Sequence, residues 1–262
     1  MNKNCKNSII LTICALLCSC VSSENYTPAS QKKDTLEPYN RAMFKFNMTA
    51  DRYVIKPATK GYQKITTPTI RKHISLFFDN MHEPLSSVNH ILQGEAKNSG
   101  KDLLRFAINS TLGLGGLFDV AGGWGIKQNE TNFDRTFAKW CIADGPYFVL
   151  PLAGPSTVRG ATGYAADSLV NPVYYATYKD ANISTKVSVI YTVANGIVAR
   201  DKAMPLTDDL EKNSVDLYAS MRSMYLQNYE KINAMCQKVK DASINAYDFD
   251  FDDEEFFENE EY

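Results

Sequence analysis

The chain has 262 residues, a formal net charge of −2, six cysteines and three histidines. That length supports one large domain with a sizeable core. So small a charge predicts no nucleic-acid partner, and the cysteine spacing excludes both a dense disulfide framework and a CxxC metal site.

At the amino end, Lys3 and Lys6 precede an apolar run, Ile9 to Leu17, that is too short to span a bilayer as a helix. The run closes on Leu17-Cys18-Ser19-Cys20, which resembles the lipobox of bacterial lipoproteins. The resemblance implies that residues 1–19 are a signal peptide and that Cys20 is acylated as the lipid anchor. Val21, not Asp, follows it, and by the same resemblance this directs the protein to the outer membrane, on its periplasmic side. Residues 20–36 are polar and read as a flexible tether.

Helical spacing begins at Pro38. Tyr39, Met43, Phe46, Ala50 and Tyr53 fall on one helical face. Ile70, Ile74, Phe77, Phe78 and Met81 repeat the pattern before Pro84, and Leu85, Val88 and Leu92 repeat it before Gly94. Leu103, Leu104, Ala107, Ile108, Thr111 and Leu112 form a further stripe, and Tyr218, Met221, Tyr225 and Ile232 another. No long period-two stretch competes, so the domain 37–240 reads as all-α. Segment 112–125 is rich in glycine and apolar residues, with Asp119 its only charge, and reads as a bent apolar hairpin or a pair of short helical pieces, either a plain buried loop or an element that moves beside a lipid path. The longest apolar run after the leader, Val187 to Ala199, is short and interrupted by Asn195 and Gly196, so no membrane-spanning helix is expected.

From Asp248 to Tyr262 the chain carries nine acids and no base, and 241–262 reads as an acidic-aromatic disordered tail. Without that tail and the leader's two lysines, 26 basic residues face 21 acidic ones, a mild excess suited to anionic headgroups. Cys141 and Cys236 are the only cysteines beyond the leader; a bridge is open to them in an oxidising compartment, but two separate buried thiols are the expectation. Catalytic patterns are lacking. His73, His82 and His90 lack the spacing of a helical zinc pair, no GxSxG elbow occurs, and no GK[ST] follows Gly113-Leu114-Gly115-Gly116. His82-Glu83 reads as a surface pair and Gly154-Pro155-Ser156 as a turn. No enzyme activity, metal or cofactor is expected.

Asn40-Arg41-Ala42-Met43-Phe44-Lys45-Phe46-Asn47 resembles the opening signature of the MlaA (VacJ) family. The likeness continues through Phe78-Asp79-Asn80, Leu92-Gln93-Gly94, Arg105 to Ser110, Gly113 to Ala121, and Gly145 to Pro151 with Gly154 to Arg159, and covers roughly residues 37–230. Two positions depart from the family pattern: Asp134 stands where glycine is usual after Phe133, and Gly160 where Asp is usual after Arg159. No salt bridge is therefore carried over there.

The resemblance implies a compact ring of amphipathic helices in the inner leaflet of the outer membrane, around a central channel. It implies removal of mislocalised phospholipids from the outer leaflet, beside a porin trimer, with delivery to a soluble periplasmic carrier. The rival reading is a scaffolding envelope lipoprotein. Candidate channel or gating residues are Asn40, Phe44, Phe46 and Asn47 on the first helix, Leu117, Phe118 and Asp119 in the glycine-rich segment, and Tyr147, expected at a rigid turn with the lipid–water boundary as its second possibility.

Overall fold

The structure, a computed structural model, describes residues 33–171 and 181–250. Cys20, the leader, most of the tether and the tail beyond Asp250 lie outside the described residues.

Helix α1, Glu37–Ala50, starts with a glutamate and Pro38 in its first turn, where a missing N–H costs nothing. The helix widens into a π-turn at Asp51–Ile55 and resumes as α2, Lys56–Ile65. Pro57 is the second residue after the π-turn. Its ring cannot donate an N–H and crowds the carbonyl four residues earlier, and the widened turn gives it room. Helix α3, Pro68–Leu92, is capped by Thr67. It passes through Pro84 without ending, so two expected segments are one helix. Gly94, at φ 74°, ends it in the left-handed conformation that glycine adopts freely. Helix α4, Ala96–Thr111, returns antiparallel along α3, in the most extensive helix pairing of the fold.

The glycine-rich segment follows as tight turns, with Leu114, Gly115 and Gly116 all at positive φ. It leads into the short α5, Val120–Gly123, capped by the Asp119 carboxylate. Gly116 lies against Asn80 of α3, where a Cβ would come within 2.6 Å of that side chain, so the hairpin is seated closely on the helix. Helix α6, Phe133–Lys139, is capped by Asn132.

A two-stranded antiparallel ribbon comes next, β1 (Tyr147–Leu150) and β2 (Gly154–Thr157), with Tyr147 opposite Thr157 and Leu150 opposite Gly154. Gly154-Pro155-Ser156 is therefore strand, and the turn lies at 151–153. Thr157 then caps α7, Val158–Val170. Helix α8, Ala181–Asn213, runs unbroken through Asn195 and Gly196, and α9 spans Leu217–Asp250, ten residues into the region expected to be tail. The all-α expectation holds, with the four-residue strands added.

The apolar core is small and sits where α1, the ribbon and α9 meet: Tyr147, Val149, Tyr218 and Leu226, flanked by Met43, Phe44 and Tyr225. Tyr147 is buried in it, on strand β1 and not in a turn, with Arg222 over its ring at 5.4 Å. Burial pushes its hydroxyl up to about 12. Residues 33–36 belong to the fold. Asp34 accepts from Asn40 at 2.9 Å and from the Tyr218 hydroxyl, so the chain is pinned before α1 begins.

Among the described residues, no helix is long and apolar enough to cross a membrane.

Candidate functional site

Helix α4 is inverted relative to a water-soluble helix. Ser99, Asp102, Arg105 and Asn109, at spacings of three, three and four, are buried. Leu103, Leu104 and Leu112 are 50%, 49% and 61% exposed. The apolar stripe read from the sequence is thus a real helical face, but it faces outward. Helix α3 does the same in its second half: Glu83, Ser86, Ser87, Asn89 and His90 are buried while Val88, Ile91 and Leu92 are exposed. Across the described residues, 20 of the 31 buried side chains are polar or charged, while 29 large hydrophobic ones are exposed. Buried polar groups persist only when paired, and broad apolar exposure in water is costly, so this distribution fits a body whose surroundings are apolar.

The inward polar groups form a connected spine. Arg105, 3% exposed, donates from Nε to Glu83 at 2.7 Å, from Nη2 to Asp119 at 3.1 Å, and from Nη1 to the Ile126 carbonyl. Asn109 donates to Asp119 at 3.1 Å and accepts from the Ala121 N–H at 2.9 Å. Three hairpin anchors therefore converge on α4. Glu83 is not a surface residue; burial raises its carboxyl to about 7, although the Arg105 hydrogen bond and charge pull the other way. Asp102 is raised for the same reason, burial first.

Further along α3, His90 presents Nδ1 to Glu95 at 3.0 Å and Nε2 to the Asn129 carbonyl at 2.9 Å and Asp102 at 3.5 Å. Lys139 joins Glu95 at 2.6 Å. Gln93 donates to Thr131 and Thr136 at 2.7 and 2.8 Å, and Thr136 donates to Asn89 at 2.7 Å.

A second centre ties α6, α7 and α9. Arg159 donates to Asp134 at 2.9 Å and to Asn233 at 2.7 Å, and the Tyr229 hydroxyl donates to Asp134 at 2.7 Å. The Asp134–Arg159 bridge forms at the positions where the chain departs from the family pattern. Gly160 beside Arg159 carries no carboxylate, and Asp134 supplies one from α6. Its close packing uses Gly163, where a Cβ would come within 2.5 Å of the Asp134 backbone.

The first-helix candidates are brought together with Tyr147. Asn40 donates to the Tyr147 carbonyl at 3.2 Å and accepts from the Val149 N–H at 2.9 Å. Asn47, one heptad on, donates to the Leu150 carbonyl at 2.8 Å and accepts from the Leu152 N–H at 2.7 Å. The two amides act as a third strand along β1 and hold α1 to the ribbon. Phe44 packs edge-on to Tyr218 with ring centres 5.5 Å apart, while Phe46 is exposed.

Leu117, Phe118 and Asp119 form a separate group. Asp119 turns inward to Arg105, while Leu117 and Phe118 are exposed beside His73, whose Nδ1 meets the Leu117 carbonyl at 2.8 Å and whose ring lies 4.6 Å from that of Phe118.

Cys141 and Cys236 form a disulfide, with Cα atoms 5.0 Å apart, linking the loop after α6 to α9. The expectation of two separate buried thiols is overturned: Cys141 is exposed at a positive φ, which turns it toward α9. The sequence reading missed the polar spine altogether. Its signal was the recurrence of Ser99, Asp102, Arg105 and Asn109 on the face opposite the leucines.

A family model described as MlaA lipoprotein matches residues 32–232. An uncharacterized protein of Rickettsia bellii is 34% identical over 230 residues, covering 85% of this chain and 88% of its own. The Escherichia coli (strain K12) protein named intermembrane phospholipid transport system lipoprotein MlaA is 31% identical over 221 residues, covering 83% of this chain and 84% of its own. A solved structure published as the structural basis for maintenance of bacterial outer membrane lipid asymmetry superposes with a TM-score of 0.65 at 33% identity, covering 77% of this chain and 100% of that one.

Proposed function

The chain belongs to the MlaA lipoprotein family, and from that premise we propose that it moves phospholipid out of the outer leaflet of the outer membrane. In this reading acylated Cys20 tethers it to the periplasmic side. A ring of helices lies within the inner leaflet, around an amphipathic channel, beside a porin trimer, and passes lipid to a soluble periplasmic carrier.

One observation carries the proposal: on α4 the polar residues Asp102, Arg105 and Asn109 are buried while Leu103 and Leu104 are exposed. A helix so arranged is stable when lipid tails cover its outer face and polar groups pair behind it. The physical need is plain. Each acyl CH₂ costs about 0.8 kcal/mol in water, so moving two ordinary chains unaided costs on the order of 20 kcal/mol. A transporter must offer a continuous apolar wall for tails and a polar strip for the headgroup. Exposed Leu117 and Phe118 supply apolar surface at the glycine-rich hairpin, which we take as a wall of the path, with α1 held as a second wall by Asn40 and Asn47.

The test is transfer. Purified protein in an outer-membrane-like bilayer, mixed with a soluble lipid acceptor, is expected to deliver labelled phospholipid to that acceptor. Protein that binds a porin trimer yet moves no lipid would sink the transport reading and leave the scaffold.

A further inference from the structure

A pocket of about 300 Å³ opens where the end of α3, the loop before α6, and α9 meet. That is the lower end of the size range for small-ligand sites. Its buried wall is polar: His90, Gln93 and Thr131 are each less than a tenth exposed. His90 uses both ring nitrogens on Glu95, Asn129 and Asp102, and Glu95 is held in turn by Lys139 at 2.6 Å and Asn98 at 2.8 Å. Those groups are satisfied within the protein and leave little for a ligand. The Thr131 hydroxyl differs. It accepts from Gln93 at 2.7 Å, which leaves its own O–H to give.

The groups left over in the lining are donors. Lys231 of α9 makes no ion pair or hydrogen bond among the described residues. Arg135 of α6 reaches only the Glu130 carbonyl, through Nη1, so its Nε and Nη2 have no acceptor among the described residues. The side-chain amides of Asn129 and Asn228 are likewise uncommitted there. One unpaired carboxylate opposes them, that of Glu130 on the exposed loop, and it accepts from Gln128 at 2.8 Å. Two cations, two amides and a hydroxyl against one carboxylate suit an anion with several oxygens, and Arg presents the planar fork that phosphate accepts. The lining also has an apolar part. Asn228, Lys231, Ile232 and Met235 recur at spacings of three, one and three, on one face of α9, so the cation and the two half-buried apolar side chains stand together. Cys236, next to Met235, is bonded to Cys141 just beyond α6, which holds α9 against the helix that carries Arg135. The two walls are therefore joined before any ligand arrives, which lowers the cost of binding.

We propose that this pocket between α3, α6 and α9 binds phosphate esters, with Lys231 and Arg135 on the phosphate oxygens and Ile232 and Met235 against the apolar part of the ester. The proposal goes beyond the transport reading and is tested by binding alone. In full-length protein in a non-ionic detergent, water-soluble dihexanoyl phosphatidylglycerol is expected to bind, and Lys231→Gln to weaken it about fivefold, the scale of one solvated charge contact. Lys231→Gln with Arg135→Gln should weaken it about twentyfold. Glu130→Gln removes the opposing carboxylate and should tighten binding about threefold, a gain that damage to the fold would not produce. Lys72→Gln, a change to a cation on α3 outside the pocket, should leave binding as it was. No binding by the wild type, wild-type affinity in Lys231→Gln, or equal binding of dihexanoylglycerol, which has no phosphate, would overturn the site. Glycerophosphoglycerol, the same headgroup without chains, identifies the source. Binding about tenfold weaker, the worth of about two buried methylenes, makes a lipid the occupant, and equal binding makes it a soluble phosphate ester; both uphold the site. Binding by protein that transfers no lipid to an acceptor would uphold the pocket and sink the transport reading.

Discussion

Glu83 provides the sharpest quantitative test of the buried spine. Arg105 faces two carboxylates, Glu83 at 2.7 Å and Asp119 at 3.1 Å, so the cluster holds one more acid than base. Glu83 is the more buried of the two acids, and burial raises its carboxyl from 4.5 to about 7. Between those two values the folded state binds more protons than the unfolded chain. Stability from this group is therefore fully present below pH 4.5 and is lost as pH rises toward about 7. At roughly 1.4 kcal/mol per pH unit of separation, the loss is about 3 kcal/mol. Glu83→Gln keeps an acceptor for Arg105 and removes the titration. Urea unfolding of both proteins in the same detergent, at intervals from pH 4.5 to 8, should show the variant gaining about 3 kcal/mol relative to the wild type as pH rises. Asp167, raised to about 6 mainly by burial, titrates in both proteins and cancels in the difference. Parallel curves would refute the reasoning. So would a wild type that gains on the variant with rising pH, because an Arg-paired carboxylate depressed below 4.5 behaves that way.

Four further outcomes are expected. Asn40→Ala leaves the Val149 N–H and the Tyr147 carbonyl unpaired in a buried place and should cost about 1–3 kcal/mol in chemical unfolding, whereas no change would mean that the Asn ladder does not hold α1. Replacing Cys141 and Cys236 by serine opens a 95-residue separation and should lower stability by about 4–5 kcal/mol, matched by the wild type in reductant. Leu103→Asp with Leu104→Asp should keep the helix content but weaken vesicle binding by about 2 kcal/mol, roughly thirtyfold; unchanged binding would mean that this face of α4 meets water. We expect Cys20→Ala to be exported yet to lose most phospholipid transport, and normal transport from the periplasm would reduce the acyl chain to an address.

The helices were legible because their period is local. Tyr39, Met43 and Phe46 lie on one face of α1 whatever surrounds it, and the spacing of Leu103, Leu104, Ala107 and Ile108 marks a face of α4 equally well. The ribbon was not legible, because four-residue strands are too short to show a period of two, and Gly154-Pro155 has the composition of a turn. The Asp134–Arg159 bridge was hidden for a different reason: 25 residues separate the partners, and only the packing of α6 on α7 at Gly163 brings them together.

By itself the sequence determined that this is a helical chain with a leader resembling that of a lipoprotein, and it carried the family signature from Asn40 to Asn47. Tertiary structure decided which side of each helix is the inside. Periodicity defines two faces but does not say which one meets the surroundings, and the usual assumption that apolar residues turn inward holds only in water. Here Arg105 turns inward because Glu83 and Asp119 are placed to pair with it, and the leucines turn outward, where lipid tails would cover them. The Cys141–Cys236 bond belongs to the same category, since a Cα separation of 5.0 Å between residues 95 apart is a property of the folded chain alone.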